Sequence, residues 1–131
     1  MHAIDTNVLV RALVQDDAAQ SARAQRMLRD HQVFVPVTVM LELEWVLRSR
    51  YAYPAGVTAQ AIEKIVALKN VMVGEREAVL AAAGKMARGW DFSDALHHAL
   101  SAGCEEFATF DTDLVKQARR VAKISPTVTR L

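Results

Sequence analysis

The sequence predicts an α/β protein, a three-layer α/β/α sandwich whose central, mostly parallel sheet has about four to five strands. Short apolar runs alternate with longer segments rich in helix formers, and parallel neighbours require such crossover connections. Hydrophobic residues make up 52% of the chain and aromatics only 6%, so the core is expected to be Ala, Val, Leu and Ile, which suits helices laid on a sheet. At 131 residues, with no linker, repeat or low-complexity tract, residues 1–131 are expected to form a single domain.

The chain opens with an apolar strand, His2 to Ile4, that ends at Asp5 and switches at once into a helix from Thr6 to Leu13. Gln15-Asp16-Asp17 interrupts the pattern, and Asp17 is placed to cap a helix from Ala18 to Arg29. Val33 to Pro36 reads as the second strand. Thr38 is expected to cap a helix from about Val39 to Tyr51, which the turn residues Tyr53-Pro54-Ala55-Gly56 close, and Thr58 to cap the next, Ala59 to Lys69. Val71 to Val73 is a third strand that Gly74 breaks. Glu75 and Glu77 favour the first turn of a helix to about Arg88. Asp91 begins another helix through Ser101, Gly103 stops it, and Phe107 to Phe110 is a fourth strand ending on Asp111. A helix to about Val121 follows. Ile124 to Val128 is expected as an edge strand, because Pro126 cannot donate to an interior ladder.

Formal net charge is only +1, so nucleic acid is not bound by overall charge and any such contact must be local. One cysteine, Cys104, excludes an intramolecular disulfide; beside the fourth strand it reads as a small buried thiol of a reducing cytoplasm. The start MHAIDTNVLV shows no basic region followed by an apolar signal core, and no apolar run approaches membrane-spanning length, so a cytoplasmic location is expected.

Parallel α/β sheets bind ligands at the carboxyl ends of their strands, where Asp5 and Asp111 both stand. Each is equally well explained as a helix N-cap. Asp94 shares a helix start with Asp91, and capping accounts for that pair too. Glu42 is different: it borders the apolar row Val39, Leu43, Val46 and Leu47, where a carboxylate needs compensation, whereas Glu44 has a ready solvent-exposed partner in Arg48 one turn on. His98 falls on the side of Asp91 and Asp94 and reads as polar surface or as support for those acids. With one Cys and adjacent His97 and His98, a zinc site is not indicated. If Asp5, Glu42, Asp94 and Asp111 converge, their repulsion calls for a cation, and all-oxygen donors select Mg²⁺ or Mn²⁺. Such an ion suits phosphodiester hydrolysis.

The segments Ile4-Asp5-Thr6-Asn7-Val8-Leu9-Val10, Leu41-Glu42-Leu43, Asp91-Phe92-Ser93-Asp94-Ala95 and Thr109-Phe110-Asp111, in that order, resemble the PilT N-terminus (PIN) domain ribonucleases over essentially the whole chain. Chain length and Trp45-Val46-Leu47-Arg48 after the glutamate look like the VapC-type toxins of type II toxin–antitoxin pairs. The resemblance implies an Mg²⁺- or Mn²⁺-dependent endoribonuclease that cuts structured RNA such as tRNA and inhibits translation. Its metal-binding and catalytic acids fall on Asp5, Glu42, Asp94 and Asp111, and its supporting residues match Asn7, Asp91, Thr109 and Asp113, all of which also have local structural explanations. It further implies a homodimer and a VapB-type antitoxin whose tail covers the active site. Lys116, Arg119, Arg120 and Lys123 form one basic stripe if their helix persists, either for RNA or as a solvated face. Two other readings stand beside this one: a metal-free glycosidase using two carboxylates, disfavoured by four acids and few aromatics, and a catalytically silent PIN-like module that binds RNA or protein.

Overall fold

A computed structural model describes residues 1–131. In chain order the elements are β1 (His2–Ala3), α1 (Thr6–Leu13), α2 (Ala18–Asp30), β2 (Val33–Val35), α3 (Val37–Tyr51), α4 (Ala55–Ala67), β3 (Val71–Val73), α5 (Arg76–Met86), α6 (Phe92–Ala99), β4 (Glu106–Thr109), α7 (Thr112–Arg119) and β5 (Thr127–Arg130). Every strand pairing is parallel, as the helical crossovers require, so the helix-rich α/β class expected from the pattern is what forms. The five strands divide into two sheets, β1-β2-β3 and β4-β5.

Asp5 and Asp17 start α1 and α2 as side-chain caps, accepting from the backbone N–H groups of Val8 and Gln20. Neither threonine cap materialises. Pro36 and Pro54 precede α3 and α4, which begin one residue before Thr38 and three before Thr58, since Pro restricts the preceding backbone and needs no N–H partner in a first turn. Thr58 is instead buried within α4 with its hydroxyl unpartnered. Gly74 lets the chain leave β3 beside the start of α3: a Cβ there would stand 3.2 Å from the Val37 nitrogen. α7 ends at Arg119, so Lys123 lies outside it and the four-residue basic stripe does not form on one helix. Cys104 is exposed, not buried, because its loop lies outside the core.

A continuous core of 27 residues runs through these elements, with Leu9, Val33, Val35, Met40, Leu43, Leu47, Ile62, Val79, Phe92 and Leu96 among the fully buried side chains. At roughly 25 cal/mol per Å² of apolar surface, each large member contributes about 1.5–3 kcal/mol by leaving water. Two polar ties fix the part that carries the later acids. His98, only 2% exposed, lies between α5 and the approach to β5: its Nδ1 is 3.2 Å from Lys85 Nζ and its Nε2 2.7 Å from the Pro126 carbonyl oxygen. An ammonium only donates and a carbonyl only accepts, so the ring is the neutral tautomer with its hydrogen on Nε2. Gln117 of α7 donates through its amide to the Gly89 carbonyl at 2.7 Å, joining α7 to the turn before α6. His98 is therefore a core residue. The expected polar face was misplaced because α6 is covered on that side by Trp90 and Phe107.

Candidate active site

Asp91 caps α6: its Oδ2 accepts from the Ser93 hydroxyl at 2.5 Å and from the Asp94 backbone N–H at 3.2 Å. Asp94 then projects from the first turn of that helix, half-buried, and its carboxylate accepts no hydrogen bond from the protein. Its carboxyl pKa is raised above the ordinary carboxylate range, first by burial and then by the negative charges of Asp91 and Asp111; His97 offsets part of this. Asp111 reaches this neighbourhood from the other sheet. It follows β4 and caps α7, its Oδ1 accepting from the N–H groups of Asp113 and Leu114 at 2.9 and 3.2 Å. Thr109 supports it, the Thr109 hydroxyl accepting from the Asp111 backbone N–H at 3.0 Å. Asp113 is exposed in the first turn of α7.

Glu42 stands on α3, exposed and with no hydrogen bond or ion pair. It lines a cavity of about 370 Å³ with Thr38, Leu41, Glu44, Trp45, Arg48 and Ser93, so Ser93 links it to the start of α6. The relative burial of the two α3 glutamates is the reverse of the sequence expectation. Glu44 is 3% exposed and Glu42 is not buried, because the covered face of α3 keeps Leu43, Val46 and Leu47 of the expected row but extends to Met40 and Glu44 on one side and leaves out Val39 on the other. Arg48 pairs Glu44, its Nε at 3.1 and 3.3 Å from the two carboxylate oxygens. The case for Glu42 from burial therefore fails; what distinguishes it is an unpartnered carboxylate on a cavity wall shared with α6.

Asp5 caps α1 weakly, with Oδ1 3.4 Å from the Val8 nitrogen, and stands at the carboxyl end of β1. With Asn7 it lines a cavity of about 640 Å³ between α1 and α2, whose walls include Arg11 and Arg23. Thus Asp91, Asp94 and Asp111 share one electrostatic environment, Glu42 adjoins it through Ser93, and Asp5 and Asn7 open onto a separate cavity. No three acid, His or Cys side chains stand close enough to hold one ion together as placed. The donor set nevertheless fits a hard divalent cation: it is all carboxylate oxygen, two of its members lack any protein partner, and the ionised form of Asp94 is penalised by its neighbours. Sequence reasoning found the Glu44–Arg48 pair but read it as solvent-exposed, read His98 as polar surface or support, and did not single out Lys85. A glutamate one turn after Met40 within an apolar run was the available signal for the burial of Glu44.

A model of the PIN domain family matches residues 3–120, from the strand before Asp5 to the C-terminal cap of α7. Comparison with curated individual proteins gives no match. The family match covers all seven helices and all four acid-bearing segments, and the α/β fold with parallel strands is the one it calls for, so the chain belongs to the PIN domain family, whose members are typically nucleases.

Proposed function

We propose that the protein is an Mg²⁺- or Mn²⁺-dependent endoribonuclease whose ion is held by Asp5, Glu42, Asp94 and Asp111. The observation that carries this reading is a pair of unpartnered carboxylates in a chain of a nuclease family: Asp94 beside Asp91 and Asp111, and Glu42 on the cavity wall it shares with Ser93. The ionised form of half-buried Asp94 is penalised by burial and by the charges of Asp91 and Asp111, and a bound cation would relieve that penalty. When bound, the ion supplies Lewis acidity towards a phosphoryl oxygen and lowers the pKa of water. The chain's own contribution is placement. Asp91 and Ser93 fix the first turn of α6 and so aim Asp94, Thr109 and the α7 N-terminus fix Asp111, and Asn7 stands beside Asp5 as a polar support on the same cavity wall.

The finer role we propose is that of a VapC-type toxin that blocks translation by cutting structured RNA such as tRNA, acts as a homodimer, and is silenced by a VapB-type antitoxin whose tail covers the acids. Support for it is the sequence resemblance, Trp45 to Arg48 included. No helix is long and apolar enough to cross a membrane.

The test is cleavage of RNA by the purified chain in Mg²⁺ or Mn²⁺, in EDTA, and after Asp5→Asn or Asp94→Asn. Metal-dependent cutting that either substitution abolishes is expected. Native-rate cutting by both variants would sink the four-acid mechanism, activity that survives complete chelation would point to metal-free chemistry, and a native chain that binds RNA without cutting it would be a binding module. A short antitoxin-like reading frame immediately upstream is expected for the toxin role.

A further inference from the structure

Glu44 is a buried carboxylate that the nuclease reading leaves unused. Burying a charge is tolerated only with a partner, and its partner is Arg48, whose side chain is half exposed. The bond is made through Nε, on the inner edge of the guanidinium, at 3.1 and 3.3 Å, and the terminal amino groups of Arg48 have no hydrogen-bond partner in the protein. Glu44 therefore acts as an anchor: it fixes the plane of a guanidinium whose outer donors are free. That fork is the geometry that binds phosphate oxygens.

Trp45, 53% exposed, shares the cavity wall with Arg48, Glu42, Leu41 and Thr38, residues that fall on one side of α3 by their three- and four-residue spacing. Its indole N–H has no partner, whereas the other tryptophan, Trp90, is buried in the core. An exposed indole beside a fixed guanidinium, on the wall that carries Glu42 and Ser93, matches what single-stranded nucleic acid requires: a π-face for a base and a cation for the next phosphate. We propose that the Trp45–Arg48 face of α3 is a subsite for unpaired RNA, with one base stacked on Trp45 and a neighbouring phosphate on Arg48, guiding the strand past Glu42. This rests on the nuclease reading for the identity of the polymer, and on the geometry of α3 for the site.

The test uses the full chain carrying Asp94→Asn in Mg²⁺, titrated with a single-stranded oligoadenylate and read by tryptophan emission. Trp90 is shielded, so quenching reports Trp45. Saturable quenching is expected, and it vanishes in Trp45→Phe while the Trp90 emission persists as evidence of folding. By anisotropy of a labelled oligoadenylate, Trp45→Ala should weaken binding roughly 5- to 150-fold, the range for losing one base–aromatic stack. Arg48→Gln should reduce the salt slope of binding by about 0.7, one single-strand phosphate, and Arg48→Lys should keep the slope. Absence of quenching, or unchanged affinity in Trp45→Ala, would overturn the proposal. So would a blue shift of Trp45 emission with protein concentration alone, which would assign the face to a second copy of the chain. Failure of the nuclease reading is seen separately, as cleavage that survives Asp94→Asn or never occurs.

Discussion

At the scale of single residues, the carboxylates of this chain differ in what surrounds them more than in where they fall in the sequence. Glu44 is covered and ion-paired, Asp111 accepts two backbone N–H groups on Oδ1 alone, and Asp94 and Glu42 have no partner. Arg48→Ala should cost roughly 1–3 kcal/mol in denaturant titration, less than a fully buried pair because Arg48 is half exposed, and Glu44→Gln in the same chain should restore most of it. His98→Ala should cost about 2–4 kcal/mol, since it opens a cavity and leaves the Pro126 carbonyl without its donor. The His98 pKa is lowered from 6.5, chiefly by burial, with Lys85 adding to it and the Pro126 hydrogen bond opposing it. The unfolded chain thus takes up the proton first. Stability from neutral His98 is present above about pH 6.5 and is lost as pH falls through the lower folded value, and pH-dependent unfolding of the native chain against His98→Ala isolates that loss.

At the scale of elements, three of the four proposed metal ligands sit at helix starts, two of them as caps, and this made them ambiguous in the sequence. The structure keeps both roles. Asp111 holds two backbone N–H groups of α7 and also contributes charge to Asp94. A substitution that separates the roles is Asp111→Ser, which can still cap: stability should stay within about 0.5 kcal/mol of native by thermal unfolding, and RNA cleavage should be lost. An equal loss of both would mean that Asp111 is a cap alone. The lengths of α1, α2 and α6 were legible to within a residue or two because Asp5, Asp17 and Asp91 are true side-chain caps. α3 and α4 were displaced towards their prolines, and a proline start leaves no hydrogen-bonding side chain to read.

At the scale of the whole molecule, the ionised carboxylate of Asp94 opposes folding until something neutralises it. Asp94 holds its proton above the usual carboxylate pH. Its favourable contribution is present below about pH 3.8 and is lost as pH rises through its folded pKa, so the ionised group strains the metal-free protein at neutral pH. Asp94→Asn is accordingly expected to raise Tm in EDTA while abolishing cleavage. Mg²⁺ should reverse the order: saturation at a hundred times Kd stabilises the native chain by about 2.7 kcal/mol, and the variant should gain less. A calorimetric scan with and without the ion decides it, and a variant less stable than native in EDTA would mean that Asp94 is already compensated within the fold.

The sequence by itself determined the class and order of the elements, the parallel pairing that alternating strands and helices force, the caps at Asp5, Asp17, Asp91 and Asp111, and membership of a nuclease family through four acidic motifs in order. These are local or ordinal properties, carried by short-range periodicity and by residue type. Only the tertiary structure decided which glutamate of α3 is buried, that His98 belongs to the core, and that Asp94 is charged against Asp91 and Asp111. Helical periodicity of 3.6 residues sets consecutive side chains about 100° apart, so a rotation of the covered face by less than one position, from Val39 towards Met40, takes in Glu44 and leaves out Glu42 while Leu43, Val46 and Leu47 stay covered. Which row is covered is set by α1, α4, α5 and α6 packing around α3, elements distant in sequence that no local window contains.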